Sequence, residues 1–371
     1  MARKGLKTGF STGAAAAAGA KAALLSLIQG KPPEKVRLDL PEGNQLWVTV
    51  KGVLVLDSQK ALATVVKQAG DDPDVTNHAE ILTQVEIRPG AEPGAQVEIT
   101  GGPGVGRVTL PGLALPVGEP AINPGPRAII AKAVTQAWSE GPDRNLPVKI
   151  KVLISVPKGG DLARYTLNPR LGIKGGISIL GTTGLVRPFS HEAYTATIES
   201  ACQVARAQGV DEVVLTTGGK SEKLAMNLKP DLPALAFVQI ADFFGFALKT
   251  AAASGFSRVG MVCFFGKAVK QAQGLEYTHA HKAPMDLAWL SRRFAEKGVS
   301  QDLVNQVSRA NTARHGLDIL RAEKRLDLVE LVGEMALIQA RGFLGSGPDL
   351  WYRIIDFDQS LLYEGKDISS S

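Results

Sequence analysis

Apolar and polar positions follow two different patterns along this chain. Residues 13–28 form a continuous Ala- and Leu-rich stretch entered through Ser11 or Thr12 and stopped by Gly30 and Pro32, which predicts a helix with a hydroxyl N-cap. Residues 35–40, 46–56 and 61–67 alternate or run apolar, which predicts strands. Pro41-Glu42-Gly43-Asn44 forms the first turn between them and Asp57-Ser58 a hairpin tip. Residues 79–88 and 148–156 read as two more strands and residues 127–138 as a helix. From His191 the pattern becomes that of a parallel α/β sheet. A helix over 192–208 ends at Gly209, and strands follow at 212–216, 234–240 and 258–265, with a helix over 243–254 and another over 268–273. Residues 286–341 are mostly amphipathic helix, with Leu287, Leu290 and Phe294 on one face and Leu303, Val304 and Val307 on another. A hairpin over 354–363 closes the chain. Two domains are expected: residues 1–187, α+β with glycine-rich loops, and residues 188–371, α/β with a mostly parallel sheet and a helical C-terminal segment.

Composition adds two restrictions. At 371 residues with 44% apolar and 21% charged positions, the chain is long enough for two cores. It holds 40 Gly and 21 Pro, above ordinary usage but far from collagen or low-complexity sequence. Much of the excess falls in residues 89–126, which is too dense in both for a regular helix or a central strand. The net charge of +6 is spread out rather than clustered, which argues against a nucleic-acid-binding arm and suits a polyanionic small molecule. Two cysteines cannot make a disulfide framework, and the alanine stretch is broken by Gly19 and Lys21, so neither a signal peptide nor a membrane span is expected. A cytoplasmic location follows as an expectation. A homo-oligomer is compatible with the sequence and not required by it.

Several segments carry candidate chemistry. Gly101-Gly102-Pro103-Gly104-Val105-Gly106 either lines a concavity with backbone amides or makes a series of tight turns. Arg107 and Val108 follow it in place of Lys-Ser or Lys-Thr, and no helix opens directly behind it, so it is neither a Walker loop nor a Rossmann fingerprint. Gly181-Thr182-Thr183-Gly184 and Thr216-Thr217-Gly218-Gly219 each follow an apolar run, and such turns at strand carboxyl ends are where open α/β sheets bind ligands. His279 and His281 would face the same side of a strand and could bind metal only with further ligands from elsewhere, so a wall of a ligand site is the alternative. Asp71, Asp72 and Asp74 could supply a base, hold a cation, or cap a turn.

The same segments resemble the cobalt-precorrin-5B C1-methyltransferase family over nearly the whole chain. The likeness is carried by Leu6-Lys7-Thr8-Gly9-Phe10-Ser11-Thr12-Gly13, by Gly70-Asp71-Asp72-Pro73-Asp74-Val75-Thr76 and by residues 101–109 and 118–124. It is most specific over Asn168-Pro169-Arg170-Leu171-Gly172-Ile173-Lys174-Gly175-Gly176 and the following residues to Gly184, and Gly266-Lys267 with Thr278-His279 completes it. Two departures stand out: residues 10–15 carry no thiol where the family has a cysteine, and Ala280 replaces a usual serine. The resemblance implies an N-terminal domain like the second domain of ribosomal protein S5 and a C-terminal α/β domain. It implies methyl transfer from S-adenosyl-L-methionine to C1 of cobalt-precorrin-5B in anaerobic cobalamin biosynthesis, with cobalt only as part of the substrate and no protein metal site. The expected donor site is the pair of turns 181–184 and 216–219, with the tetrapyrrole between the domains. Gly102, Gly104, Arg107, Asn168, Arg170, Lys174 and Lys267 are the expected substrate contacts, with Arg127 and Arg187 as further anchors, and Asp72 and His279 the candidate bases. A small-molecule kinase and a non-enzymatic polyanion-binding protein are the rival readings.

Overall fold

The computed structural model describes residues 5–92, 94–142, 146–280 and 285–367. The chain divides into two compact units, Met1–His191 and Glu192–Ser371.

The first unit is built on a five-stranded mixed sheet in the order Gly52–Val55, Lys60–Val66, Glu80–Pro89, Val148–Ser155, Ala95–Gly101. All neighbours are antiparallel except the last pair, which is parallel. Strict alternation gives the sheet one apolar face: Ala61, Ala63 and Val65, then Ile81, Thr83 and Val85, then Val148, Ile150, Val152 and Ile154 are buried. The helix Thr12–Gln29 lies on that face. Ala14 to Ala18 have no exposed surface, and their methyl-sized side chains let the backbone come close to the sheet. At Gly19 even a methyl would meet Thr83 Oγ1 at 2.8 Å, and Thr83 Oγ1 donates to the Ala16 carbonyl at 3.3 Å. A second helix, Pro124–Ser139, packs on the first and on the strand Ala95–Gly101. Among the described residues of the glycine- and proline-rich stretch, the longest strand, Ala95–Gly101, lies at the sheet edge, where a chain with few donors is tolerated, and Gly104–Val105 and Arg107–Val108 are two residues each. The strand expected over 46–56 is two strands, Gln45–Thr49 and Gly52–Val55, which belong to different sheets.

The second unit has a five-stranded sheet in the order Phe237–Gln239, Glu212–Thr216, Arg258–Phe264, Asp349–Ile355, Leu361–Asp367. The first four are parallel and the last is antiparallel. Numbered within this sheet the order is 2-1-3-4-5, the flavodoxin-like doubly wound arrangement, which reverses between its first and third strands. Glu212–Thr216 is buried at all five positions, as a strand covered on both faces must be. Two expected boundaries move. The strand over 234–240 begins as a 3₁₀ turn, Ala234–Ala236, and the helix over 268–273 starts earlier, as Phe265–Ala272, which draws Gly266 and Lys267 into its first turn. The amphipathic region resolves into four helices, Leu287–Glu296, Gln301–Ser308, Ala313–Ala322 and Asp327–Leu344. No helix of the described residues is long and apolar enough to cross a membrane.

The hydroxyl cap of the first helix is Ser11, whose Oγ accepts from the Ala14 amide at 3.1 Å. Ser11→Ala is expected to destabilise the first unit by about 1 kcal/mol. A denaturant midpoint unchanged from wild type would show that the cap contributes nothing.

Candidate functional site

In the first unit the chain opening is fastened to the second glycine cluster. Gly9–Phe10 pairs with Leu185–Val186. The Ser11 and Gly13 amides donate to the carbonyls of Gly184 and Leu180 at 2.9 and 3.1 Å, and Thr12 Oγ1 accepts from the Leu180 amide at 2.9 Å. The turn Gly181-Thr182-Thr183-Gly184 thus stands at the amino end of the alanine helix. Gly181 has φ +113° and leaves only enough room for the Ser11 side chain, which a Cβ would meet at 2.3 Å. Thr182 is exposed, and Thr183 Oγ1 accepts from the Leu185 amide at 3.4 Å.

The first glycine cluster serves the chain's own backbone. Gly102 N–H donates to the Ile154 carbonyl at 2.7 Å and Gly106 N–H to the Ile177 carbonyl at 2.8 Å. Gly104–Val105 pairs in parallel with Gly176–Ile177, and Arg107–Val108 pairs antiparallel with Ile173–Lys174. Asn168 is buried and holds this arrangement: its Nδ2 donates to the Gly176 carbonyl at 3.0 Å and its Oδ1 accepts from Ser178 Oγ at 3.1 Å. Arg107 and Lys174 are exposed and directly opposite one another across the strand pair. Arg170 is half-buried. Arg127 is spent on the chain, with Nε on the Ile122 carbonyl at 2.9 Å and Nη1 on the Ile99 carbonyl at 3.2 Å.

The acidic segment is divided in its tasks. Asp71 Oδ2 accepts from the Lys7 amide at 2.7 Å, and Asp72 Oδ1 accepts from the Phe189 amide at 2.9 Å. Asp74 pairs with Lys67, a side chain only 1% exposed, and also accepts from the Thr76 amide and hydroxyl at 2.7 and 2.6 Å. Burial pushes the Asp74 carboxyl up, but the Lys67 charge and the hydrogen bonds from Lys67 and Thr76 hold it below the ordinary carboxylate range.

The second unit gathers polar groups at the carboxyl edge of its sheet. Thr216 ends its strand with Oγ1 on the Val238 carbonyl at 3.4 Å, Thr217 Oγ1 lies 3.3 Å from Ser221 Oγ, and Gly218 precedes the helix Gly219–Leu228. Beside it, Glu222 Oε2 accepts from Gln239 Nε2 at 2.8 Å. After the neighbouring strand, Ala241 at φ +45° turns the chain so that Asp242 pairs with Lys267. Thr278 Oγ1 is 3.2 Å from both Asp242 Oδ1 and Lys267 Nζ, and Lys270 Nζ donates to the Thr278 carbonyl at 3.0 Å. Burial and the nearby Lys267 charge lower the Lys270 pKa, and Asp242 opposes them. His279 stacks on Tyr277 at 6.0 Å, in a segment that is not a strand; its expected companion His281 lies outside the described residues. Among the described residues no three His, Cys, Asp or Glu side chains are grouped to hold a metal ion. Burial pushes the thiols of Cys202 and Cys263 up to about 12, so both stay protonated and unreactive.

Lys267 and Lys270 line a cavity of about 380 Å³ at the ends of Arg258–Phe264 and Asp349–Ile355, whose other walls include Phe264, Arg314, Asp356 and Phe357. Asp356 is 3% exposed and pairs with both Arg314 and Arg321. Of these, only Lys267 was marked out by sequence. Asp242 and Asp356 follow strand ends closely, and that position could have singled them out; Arg314 and Phe357 come from separate helical and hairpin segments, and no local signal joins them.

Fold and sites together define a protein of two mixed α/β units whose turns carry cationic and hydroxyl side chains. A family model described as CbiD matches residues 1–188, and one described as the CbiD C-terminal domain matches residues 277–366. The chain is 46% identical over 352 residues to the cobalt-precorrin-5B C(1)-methyltransferase of Nitratidesulfovibrio vulgaris, covering 93% of this chain and 89% of that one. It is 42% identical over 347 residues to the protein of the same name from Priestia megaterium, covering 94% and 92%. The 1.9 Å crystal structure of the cobalamin biosynthesis protein (cbiD) from Archaeoglobus fulgidus matches with 28% identity and a TM-score of 0.39, over 79% of this chain and 85% of that one. The chain belongs to the cobalt-precorrin-5B C(1)-methyltransferase family, CbiD.

Proposed function

We propose that this protein transfers a methyl group from S-adenosyl-L-methionine to C1 of cobalt-precorrin-5B, giving cobalt-precorrin-6A on the anaerobic route to cobalamin. The observation that carries this reading is the near-full-length identity to relatives bearing that name. No observation favours phosphoryl transfer. The side chains supply a chemical reason as well: Arg107 and Lys174 are like charges directly opposite on adjacent strands, an arrangement that costs stability until an anion lies between them. A macrocycle with carboxylate arms is such an anion, and we assign Arg107, Lys174 and Arg170 to its arms. We assign the donor to Thr216-Thr217-Gly218-Gly219, at the edge of the sheet where doubly wound folds take ligands. In-line displacement at a sulfonium carbon needs little covalent help, so holding donor and ring carbon aligned in a dry site supplies most of the acceleration. The first unit, with a mixed sheet covered on one face by helices, supports assignment to the ribosomal S5 second-domain type.

Incubation with methyl-labelled S-adenosyl-L-methionine and a cobalt-precorrin-5B generating system should give labelled cobalt-precorrin-6A. Unlabelled tetrapyrrole, or ATP turnover in place of methylation, would overturn the reading. The proton lost from the ring falls to Asp72 or His279. Asp72→Asn or His279→Gln, whichever removes the base, is expected to lower kcat by about 10²- to 10⁴-fold. Near-normal turnover in both variants would remove the base from this account.

A further inference from the structure

We propose that the cavity of the second unit is where a carboxylate-bearing rim of the macrocycle sits, with its arms on Lys270 and Arg314 and its flat conjugated edge against Phe357. This deepens the reading above and rests on it.

Charge separates the two ligands of the reaction. The methyl donor is a net cation, its sulfonium and ammonium outweighing one carboxylate, and among the described residues the cavity is lined by Lys267, Lys270 and Arg314 against one carboxylate, Asp356. That carboxylate is already engaged by Arg314, Arg321 and the Phe357 amide, which donates at 2.7 Å. Asp242 is paired with Lys267, and Asp318 lies 3.1 Å from Arg314 Nε. A sulfonium here would face cations with their counter-charges already taken, whereas an arriving carboxylate gains charge-assisted hydrogen bonds. Lys270 is a buried ammonium that donates to the Thr278 carbonyl at 3.0 Å. Burial and the Lys267 charge lower its pKa against the pull of Asp242, and a substrate carboxylate beside it would oppose both.

The apolar half of the cavity points the same way. Phe357 is 60% exposed although it stacks on Phe264 at a centroid distance of 4.3 Å and an interplanar angle of 17°. Lys220 Nζ and Arg314 Cζ each lie 5.9 Å from its ring centre. The ring is thus held in one orientation and flanked by cations while much of it stays in water. That arrangement suits a flat ligand with anionic arms better than a small anion, which has no use for the aromatic face.

Cobyrinic acid, a stable cobalt corrinoid with free carboxylate arms, is the probe, with its methyl ester as the uncharged control and S-adenosylhomocysteine as the donor probe. Titrations of the full chain should show binding of the acid and none of the ester at the same concentrations. Phe357→Ala, at an exposed position, and Lys270→Met, which keeps the buried stem, should each weaken the acid by roughly tenfold or more and leave S-adenosylhomocysteine affinity unchanged. Failure of the acid to bind, unchanged acid affinity in both variants, or loss of S-adenosylhomocysteine instead would each overturn the assignment. The two proposals fail separately. Full methylation by both variants refutes the cavity alone. Corrinoid binding that the variants weaken, without methyl transfer by the wild type, refutes the activity and keeps the cavity.

Discussion

Asp74→Asn is expected to destabilise the first unit by about 3 kcal/mol, the low end of what removing one partner from a buried ion pair costs, because Asp74 itself keeps 24% of its side chain exposed. The cost comes from the partner left behind. Lys67 is 1% exposed, and without Asp74 its ammonium has lost the carboxylate that compensates it. The effect has a pH signature. The Asp74 carboxyl titrates below its ordinary range in the fold, so its contribution is fully present above the unfolded pKa near 4 and drains away as pH falls through the folded value. Wild type and variant should therefore differ most at neutral pH and converge as the acid form of Asp74 takes over. Urea midpoints measured at pH 7 and pH 3 test this. Equal midpoints at pH 7, or a gap that persists unchanged at pH 3, would show that Lys67 is compensated in another way.

Gly104→Ala is expected to cost about 4 kcal/mol, with roughly 1 kcal/mol from a left-handed backbone and up to 3 from overpacking. Gly104 has φ +77°, and a Cβ there would lie 1.8 Å from the Val156 carbonyl oxygen. The contact is shared. A Cβ on Gly159 would reach the Gly104 carbonyl oxygen at 2.0 Å and one on Gly176 would reach it at 2.1 Å. Gly175 is the internal control, with φ +84° but nothing within 4 Å of its missing Cβ. Gly175→Ala should lose only the conformational term, about 1 kcal/mol. Thermal melts of the two variants side by side decide the matter: equal midpoints would mean that the crowding at Gly104 relaxes freely.

How far the sequence carried the reading depends on the range over which each feature is encoded. The helix Thr12–Gln29 was legible almost to the residue, because its cap, its alanine run and its terminal glycine are all local. The strand Glu212–Thr216 and the alternation around it were equally plain. The 2-1-3-4-5 order was not, since strand pairing joins residues such as Phe264 and Ile355 that no window spans. Glycines were ambiguous for a physical reason: the same missing side chain serves a ligand or another backbone, and Gly102, Gly104 and Gly106 meet Ser155, Val156 and Gly176. Lys267 could be singled out from its motif, but its partner Asp242 is 25 residues away and became visible only when the strand ends were placed side by side.

The alanine face of the first helix has a mechanical consequence. Ala14 to Ala18 carry almost no side-chain volume, so the spacing between helix and sheet is set by backbone contact rather than by deformable side chains. The turn Gly181-Thr182-Thr183-Gly184 is bonded to the front of that helix through Ser11, Thr12 and Gly13. An enlarged residue in the alanine run cannot be absorbed by a change of rotamer beneath it and must lift the helix, and with it the turn. A packing change deep in the core would thus be felt as a displacement of that surface loop.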